Sequence, residues 1–101
     1  MRRILTAGDP PDGVFVASDL MARGALNTLA LAGLAVPERV AVVGFDDSPV
    51  ATSVSPALTT VRQPSFLQGQ LMARTLLGVL AGDDPPHATI LDPELVVRDS
   101  A

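Results

Sequence analysis

Two short apolar runs, Val14-Phe15-Val16-Ala17 and Val40-Ala41-Val42-Val43, bracket a stretch with helical periodicity, and this order constrains the fold more than any other feature. β-Branched runs of this length read as strands buried on both faces, the second closed by Gly44. Between them, Ala22, Ala25, Leu26 and Leu29 recur at three- and four-residue spacing over about Leu20 to Ala32, with Gly33 placed to end the helix. Arg23, Asn27 and Thr28 fall outside that stripe. A strand, helix, strand unit closes by a right-handed crossover, so the two strands are expected to be parallel and the fold class to be α/β, a parallel sheet with flanking helices.

Parallel strands place their carboxyl ends on one edge of the sheet, where open α/β folds bind ligands. Ser18 and Asp19 follow the first run; Asp46 and Asp47 follow the second. Two polar turns on one edge offer acceptors and a hydroxyl to a neutral polar ligand such as a sugar or nucleoside. Each residue also has a structural reading. Ser18 or Asp19 can cap the helix beginning near Leu20, and Asp46 and Asp47 can cap or form a turn.

Further along, Pro49 to Val54 reads as a loop or short helical turn, and Leu58 to Gln63 as an extended β-branched segment ended by Pro64. Arg62 alternates away from Gln63 along that segment and is expected to be solvated. Ser65 reads as the N-cap of an amphipathic helix over Phe66 to Leu80, with Met72, Ala73, Leu76, Val79 and Leu80 on a buried stripe and Gly82 as its stop. Two short strands are expected at Thr89 to Leu91 and Leu95 to Val97, separated by Asp92-Pro93. At the start, Arg2 to Ala7 reads as the last turns of a helix stopped by Gly8. A chain opening on a helix tail is expected to be a fragment or remnant of a longer protein.

Composition bounds the function. The net charge is −4, with all seven basic residues Arg and scattered, so direct nucleic-acid binding by this segment is not expected. Cysteine is absent, which excludes disulfides and thiolate chemistry, and no run of about 18 apolar residues is present. No secretory leader opens the chain, so the cytoplasm is the expected location. His87 stands in a loop without a second His or a Cys, so no metal site and no cofactor are expected.

Taken together, Ala17-Ser18-Asp19, Val42-Val43-Gly44-Phe45-Asp46-Asp47 and Leu58-Thr59-Thr60-Val61-Arg62-Gln63-Pro64 resemble the C-terminal part of lactose repressor/galactose repressor (LacI/GalR) transcription regulators. The likeness runs from about Pro11 to Arg98 and includes the linker at 33 to 40 and Glu94-Leu95-Val96-Val97-Arg98. It implies part of a type I periplasmic-binding-protein-like fold, a fragment of a bilobal effector domain whose cleft closes on a small molecule, with a role in sensing and none in catalysis. Two lobes need roughly twice the 100–150 residues of a typical domain, and this chain has 101.

On that resemblance, residues 1–63 and 89–101 belong to the C-terminal lobe, and 64–88 form a crossover and a helix packed on the other lobe. Asp46 is the first effector contact, with Ser18, Gln63, Asp19 and Asp47 beside it. Met21, Arg23, Leu26, Val50 and Val54 face a second copy across a dimer interface. DNA would be bound only through a headpiece outside this chain, and membranes not at all. Loss of the helix 65 to 81 partner leads to an expectation of self-association, through exchanged elements or an exposed sheet edge. Two rivals remain: a periplasmic-type sugar carrier, distinguished by a signal peptide upstream in place of a helix-turn-helix, and an enzyme using Asp19 and Asp46 as paired carboxylates with a metal on a flavodoxin-like sheet.

Overall fold

The computed structural model describes residues 1–101, and its elements follow the periodicities of the sequence. They run α1 (Arg2–Thr6), β1 (Gly13–Phe15), α2 (Asp19–Leu31), β2 (Ala41–Asp46), α3 (Val50–Ser53), β3 (Thr59–Arg62), α4 (Ser65–Ala81) and β4 (Glu94–Val96). One four-stranded sheet has the order β1-β2-β3-β4. β1 and β2 are parallel, with Val14 beside Val42, and β2 and β3 are parallel, with Gly44 beside Thr60. β4 runs antiparallel to β3, pairing Arg62 with Glu94. The sheet is therefore mixed, with its parallel part as expected and one antiparallel edge.

The chain divides into two compact units, Met1–Arg62 with Glu94–Ala101, and Gln63–Pro93. The first unit holds the sheet and the core. Its buried apolar residues are Val16, Ala22, Ala25, Leu26, Leu29, Val40, Val42, Ala51 and Leu58, so the α2 stripe read from the sequence packs against β2 and α3. Ser18 caps α2, its hydroxyl accepting the Met21 N–H at 3.3 Å, and Gly33 takes φ +70 just beyond the helix. That left-handed conformation is the reason for a glycine there.

Ser100 joins the sheet from the C-terminus. It is fully buried; its hydroxyl donates to the Val42 carbonyl at 2.6 Å and accepts the Thr59 N–H at 2.8 Å. The Val42 N–H donates to the Ser100 carbonyl at 2.7 Å. The β2–β3 ladder begins at Val43 and Thr59. Ser100 thus supplies hydrogen bonds to both strands at the end where their direct pairing stops.

In the second unit α4 extends from Ser65 to Ala81 and stops at Gly82, in the left-handed region at φ +93. None of its residues is buried, and Met72, Leu76, Val79 and Leu80, expected on a covered stripe, are exposed. Each large apolar side chain left in water forgoes roughly 1.5–3 kcal/mol of burial free energy.

Three local expectations are corrected. Gly44 does not close β2; the strand continues to Asp46. A Cβ at Gly44 would lie 2.5 Å from Asp19 Oδ1 and 2.7 Å from Leu58 Cδ2, so this glycine permits close approach inside the sheet. Ser65 is not the N-cap of α4 but its first residue; Pro64 occupies the cap, and the Ser65 hydroxyl donates back to the Gln63 carbonyl at 3.4 Å. Thr89 to Leu91 is not a strand, because no strand neighbours it to form a ladder, and Ile90 is exposed.

Candidate functional site

Because β1, β2 and β3 are parallel, the residues after their carboxyl ends gather on one edge of the sheet. Asp19 is the anchor of that edge. It is fully buried in the first turn of α2, where the helix dipole favours a negative charge. Its Oδ2 accepts the Ser48 N–H at 2.7 Å and its Oδ1 accepts the Thr60 hydroxyl at 2.6 Å. One carboxylate therefore joins the start of α2, the turn after β2 and strand β3. Enclosed in this way, Asp19 is directed into the fold, and its carboxylate is not presented as one half of an open metal-binding pair with Asp46.

The acidic turn carries unusual backbone. Asp46 has φ +111 and Asp47 φ +53, both outside the conformations that side-chain-bearing residues ordinarily adopt. Such residues persist where the surroundings over-determine them, which is common at ligand sites. Asp46 is exposed at the last position of β2, paired in register with Arg62 of β3.

Asp47 is held from two sides. Its Oδ1 accepts Arg98 Nη2 at 2.6 Å and its Oδ2 accepts Arg62 Nε at 2.7 Å. Its side chain is only 9% exposed. Burial pushes the Asp47 carboxyl up, but hydrogen bonds from Arg98 and Arg62, with the charges behind them, outweigh it and hold the group below its ordinary value. The same pairing raises Arg62 above the usual guanidinium value. Arg62 also reaches Glu94 through Nη1 at 3.0 Å, and Arg98 Nη1 donates to the Leu58 carbonyl at 2.8 Å. Arg62, expected to be solvated, is exposed to about half of its side chain, and it is also paired with two carboxylates.

The structure thus brings Ser18, Asp19, Asp46 and Asp47 to one edge. Gln63 follows Arg62 in the chain and opens the second unit. Sequence reasoning missed Ser48, Thr60 and Arg98 as partners of the acidic residues. Nothing local marks Arg98, which meets Asp47 from 51 residues away. No group of three or more His, Cys, Asp or Glu side chains is placed to hold a metal ion.

A second feature of the same unit is a groove of about 380 Å³ lined by Arg23, Gly24, Leu26, Asn27, Ala30, Val54 and Ser55. Of the residues expected to face a second copy, Arg23, Leu26 and Val54 line it. Leu26 also belongs to the buried core, Val54 is half-buried against that core, and Met21 is exposed. Val50 is the first residue of α3, which packs on α2.

Comparison with known proteins agrees with this architecture. Residues 1–101 match the family described as periplasmic binding protein-like domain. A relative named HTH-type transcriptional regulator CelR, from Thermobifida fusca, is 46% identical over 101 residues, which is 99% of this chain and 30% of that protein. The solved structure of a transcriptional regulator CelR–cellobiose complex superposes with a TM-score of 0.93 at 44% identity, over 99% of this chain and 31% of the other. A lac repressor dimer bound to operator and the anti-inducer ONPF superposes with a TM-score of 0.89 at 34% identity, over 97% of this chain and 34% of the other. This chain therefore spans about a third of the length of these proteins. No helix is long and apolar enough to cross a membrane. The chain belongs to the periplasmic binding protein-like domain family, in the form carried by LacI-type transcriptional regulators.

Proposed function

We propose that this chain is the effector-sensing and dimerisation portion of a cytoplasmic LacI-type transcription regulator, acting by binding and not by catalysis. The effector is a neutral polyhydroxylated molecule, a disaccharide in the first instance, because the CelR structure is a cellobiose complex. The observation that carries this reading is Asp46: an exposed carboxylate at the carboxyl end of a parallel strand, on strained backbone beside a side chain fixed by two arginines. A carboxylate in that position accepts hydrogen bonds from sugar hydroxyls, and the Ser18 hydroxyl can donate as well as accept nearby. Asp19 and Asp47 serve the site by holding its turns in place.

Dimerisation is assigned to the α2–α3 face, whose groove is lined by Arg23, Leu26 and Val54. DNA contact is assigned to a segment outside these residues, in line with the net charge of −4 and with the relatives' designation as HTH-type regulators. That designation also favours a regulator over a sugar carrier.

The test is titration of the ¹⁵N-labelled chain with cellobiose, followed by NMR. Progressive shifts at the amides of Ser18, Asp46, Asp47 and Ser48, abolished by Asp46→Ala, are expected. Absence of shifts in this turn up to the solubility limit of the sugar would overturn the assignment of a cellobiose-type effector to this edge.

A further inference from the structure

The chain passes between its two units twice, leaving the first after Arg62 and returning at Glu94. Those two residues are ladder partners in the β3–β4 pair, and their side chains form an ion pair at 3.0 Å. Arg62 is also the ladder partner of Asp46 across β2–β3, while its Nε is bound by Asp47. Both crossing points and the acidic turn therefore meet on one guanidinium.

We propose that Asp47 is a positioning residue, one that clamps the strained turn after β2 to both crossings through Arg62 and, from the opposite side, to the C-terminal segment through Arg98. Exposed ion pairs singly impose little order. This one differs in its acceptor: the Asp47 side chain is nearly covered and bridges two arginines, one of which also binds the Leu58 carbonyl and one of which also binds Glu94. Arg98 is fixed further by its own N–H, which donates to Thr59 Oγ1 at 2.8 Å. Displacement of the turn must then strain contacts on β3, on β4 and after β4 together. If Asp46 contacts the effector, which rests on the function proposed above, the clamp makes Asp47 the route from the bound sugar to the crossings.

Hydrogen exchange of the 101-residue chain tests this without ligand. Asp47→Asn keeps the shape and removes the charge; Arg62→Gln removes the bridge from a half-exposed position and serves if the first variant unfolds. Both are expected to accelerate exchange at least tenfold at Asp46–Ser48, Val61–Gln63 and Glu94–Val96 together, with Val14 and Leu26 unchanged. Acceleration confined to residues 46–48, or uniform across the sheet, would overturn the clamp. The double variant Arg62→Glu with Glu94→Arg rebuilds the crossing pair but turns the Asp47 contact repulsive. Fast exchange must persist there, and a return to the native rate would show that Asp47 is dispensable. Repeating the comparison with cellobiose separates the two ideas: if no sugar binds, the effector reading fails while the ligand-free exchange pattern still decides the clamp.

Discussion

The Thr60 hydroxyl donates a 2.6 Å hydrogen bond to the buried carboxylate of Asp19, joining strand β3 to the first turn of α2 across 41 residues of chain. Both side chains are fully buried, and the second Asp19 oxygen is satisfied by the Ser48 N–H. Replacing Thr60 by Val keeps the volume and removes the donor. A buried acceptor left without a partner costs about 1–3 kcal/mol, more where it is charged. Urea unfolding should therefore show Thr60→Val destabilised by at least that amount, with Thr60→Ser much closer to the native chain.

Gly44 leaves room for the same carboxylate. A Cβ added there meets Asp19 Oδ1 and Leu58 at distances that real side chains do not tolerate, and both neighbours are buried. Gly44→Ala is expected to cost about 1–3 kcal/mol, the usual range for overpacking. Gly24, on the exposed face of α2 with nothing within 4 Å of its Cβ position, is the comparison. Gly24→Ala should raise stability by about 0.5–1 kcal/mol through helix propensity. Thermal unfolding of the two variants at dilution reads both signs.

The reach of sequence reasoning follows from the range of each interaction. The β1–α2–β2 unit was legible because apolar periodicity and the Ser18 cap are local signals, and α4 was legible to within a residue because Gly82 marks its end. Gly44 was misread as a stop because a strand end and a close approach both select glycine, and only the position of Leu58 and Asp19 separates them. Asp46 and Asp47 were recognised as candidates, but their different environments were not: the arginines that take up Asp47 come from 15 and 51 residues away. Thr89 to Leu91 has strand composition but lacks a partner, and a strand is defined by its ladder.

Ser100 predicts a strong dependence on the C-terminus. Its hydroxyl satisfies a buried N–H on β3 and a carbonyl on β2, and Ser100→Ala strands both at once. Each lost partner costs about 1–3 kcal/mol, so the variant should unfold well below the native chain in a thermal scan. Ser100→Thr, which preserves the hydroxyl, reports by contrast how much room the buried site has.

Acid should weaken the fold through Asp47. Its pKa is lowered in the folded chain, so the native state binds fewer protons than the unfolded state as pH falls through the carboxylate range. The sign follows: this stabilisation is complete above the unfolded value of about 3.9 and is lost as pH falls through the lower folded value. Urea midpoints should be flat between pH 5 and about 7 for this group and decline in acid. Asp47→Asn is expected to be less stable at neutral pH and to show a shallower acid decline.

Two surfaces are candidates for the self-association expected of this chain, and they can be separated by charge. The α2–α3 groove belongs to the unit with the core, while α4 presents Met72, Leu76 and Leu80 to solvent. Arg23 and Met21 are exposed on α2, so Arg23→Glu and Met21→Asp should leave the melting temperature of a dilute sample nearly unchanged. If dimers form through α2, sedimentation equilibrium must show both variants shifted toward monomer. Leu76→Asp and Leu80→Asp place charges on the α4 stripe and should remove only higher aggregates. Dimers that survive the α2 variants and disappear with the α4 variants would instead locate pairing on the helix stripe and remove the dimerisation role from the α2–α3 groove.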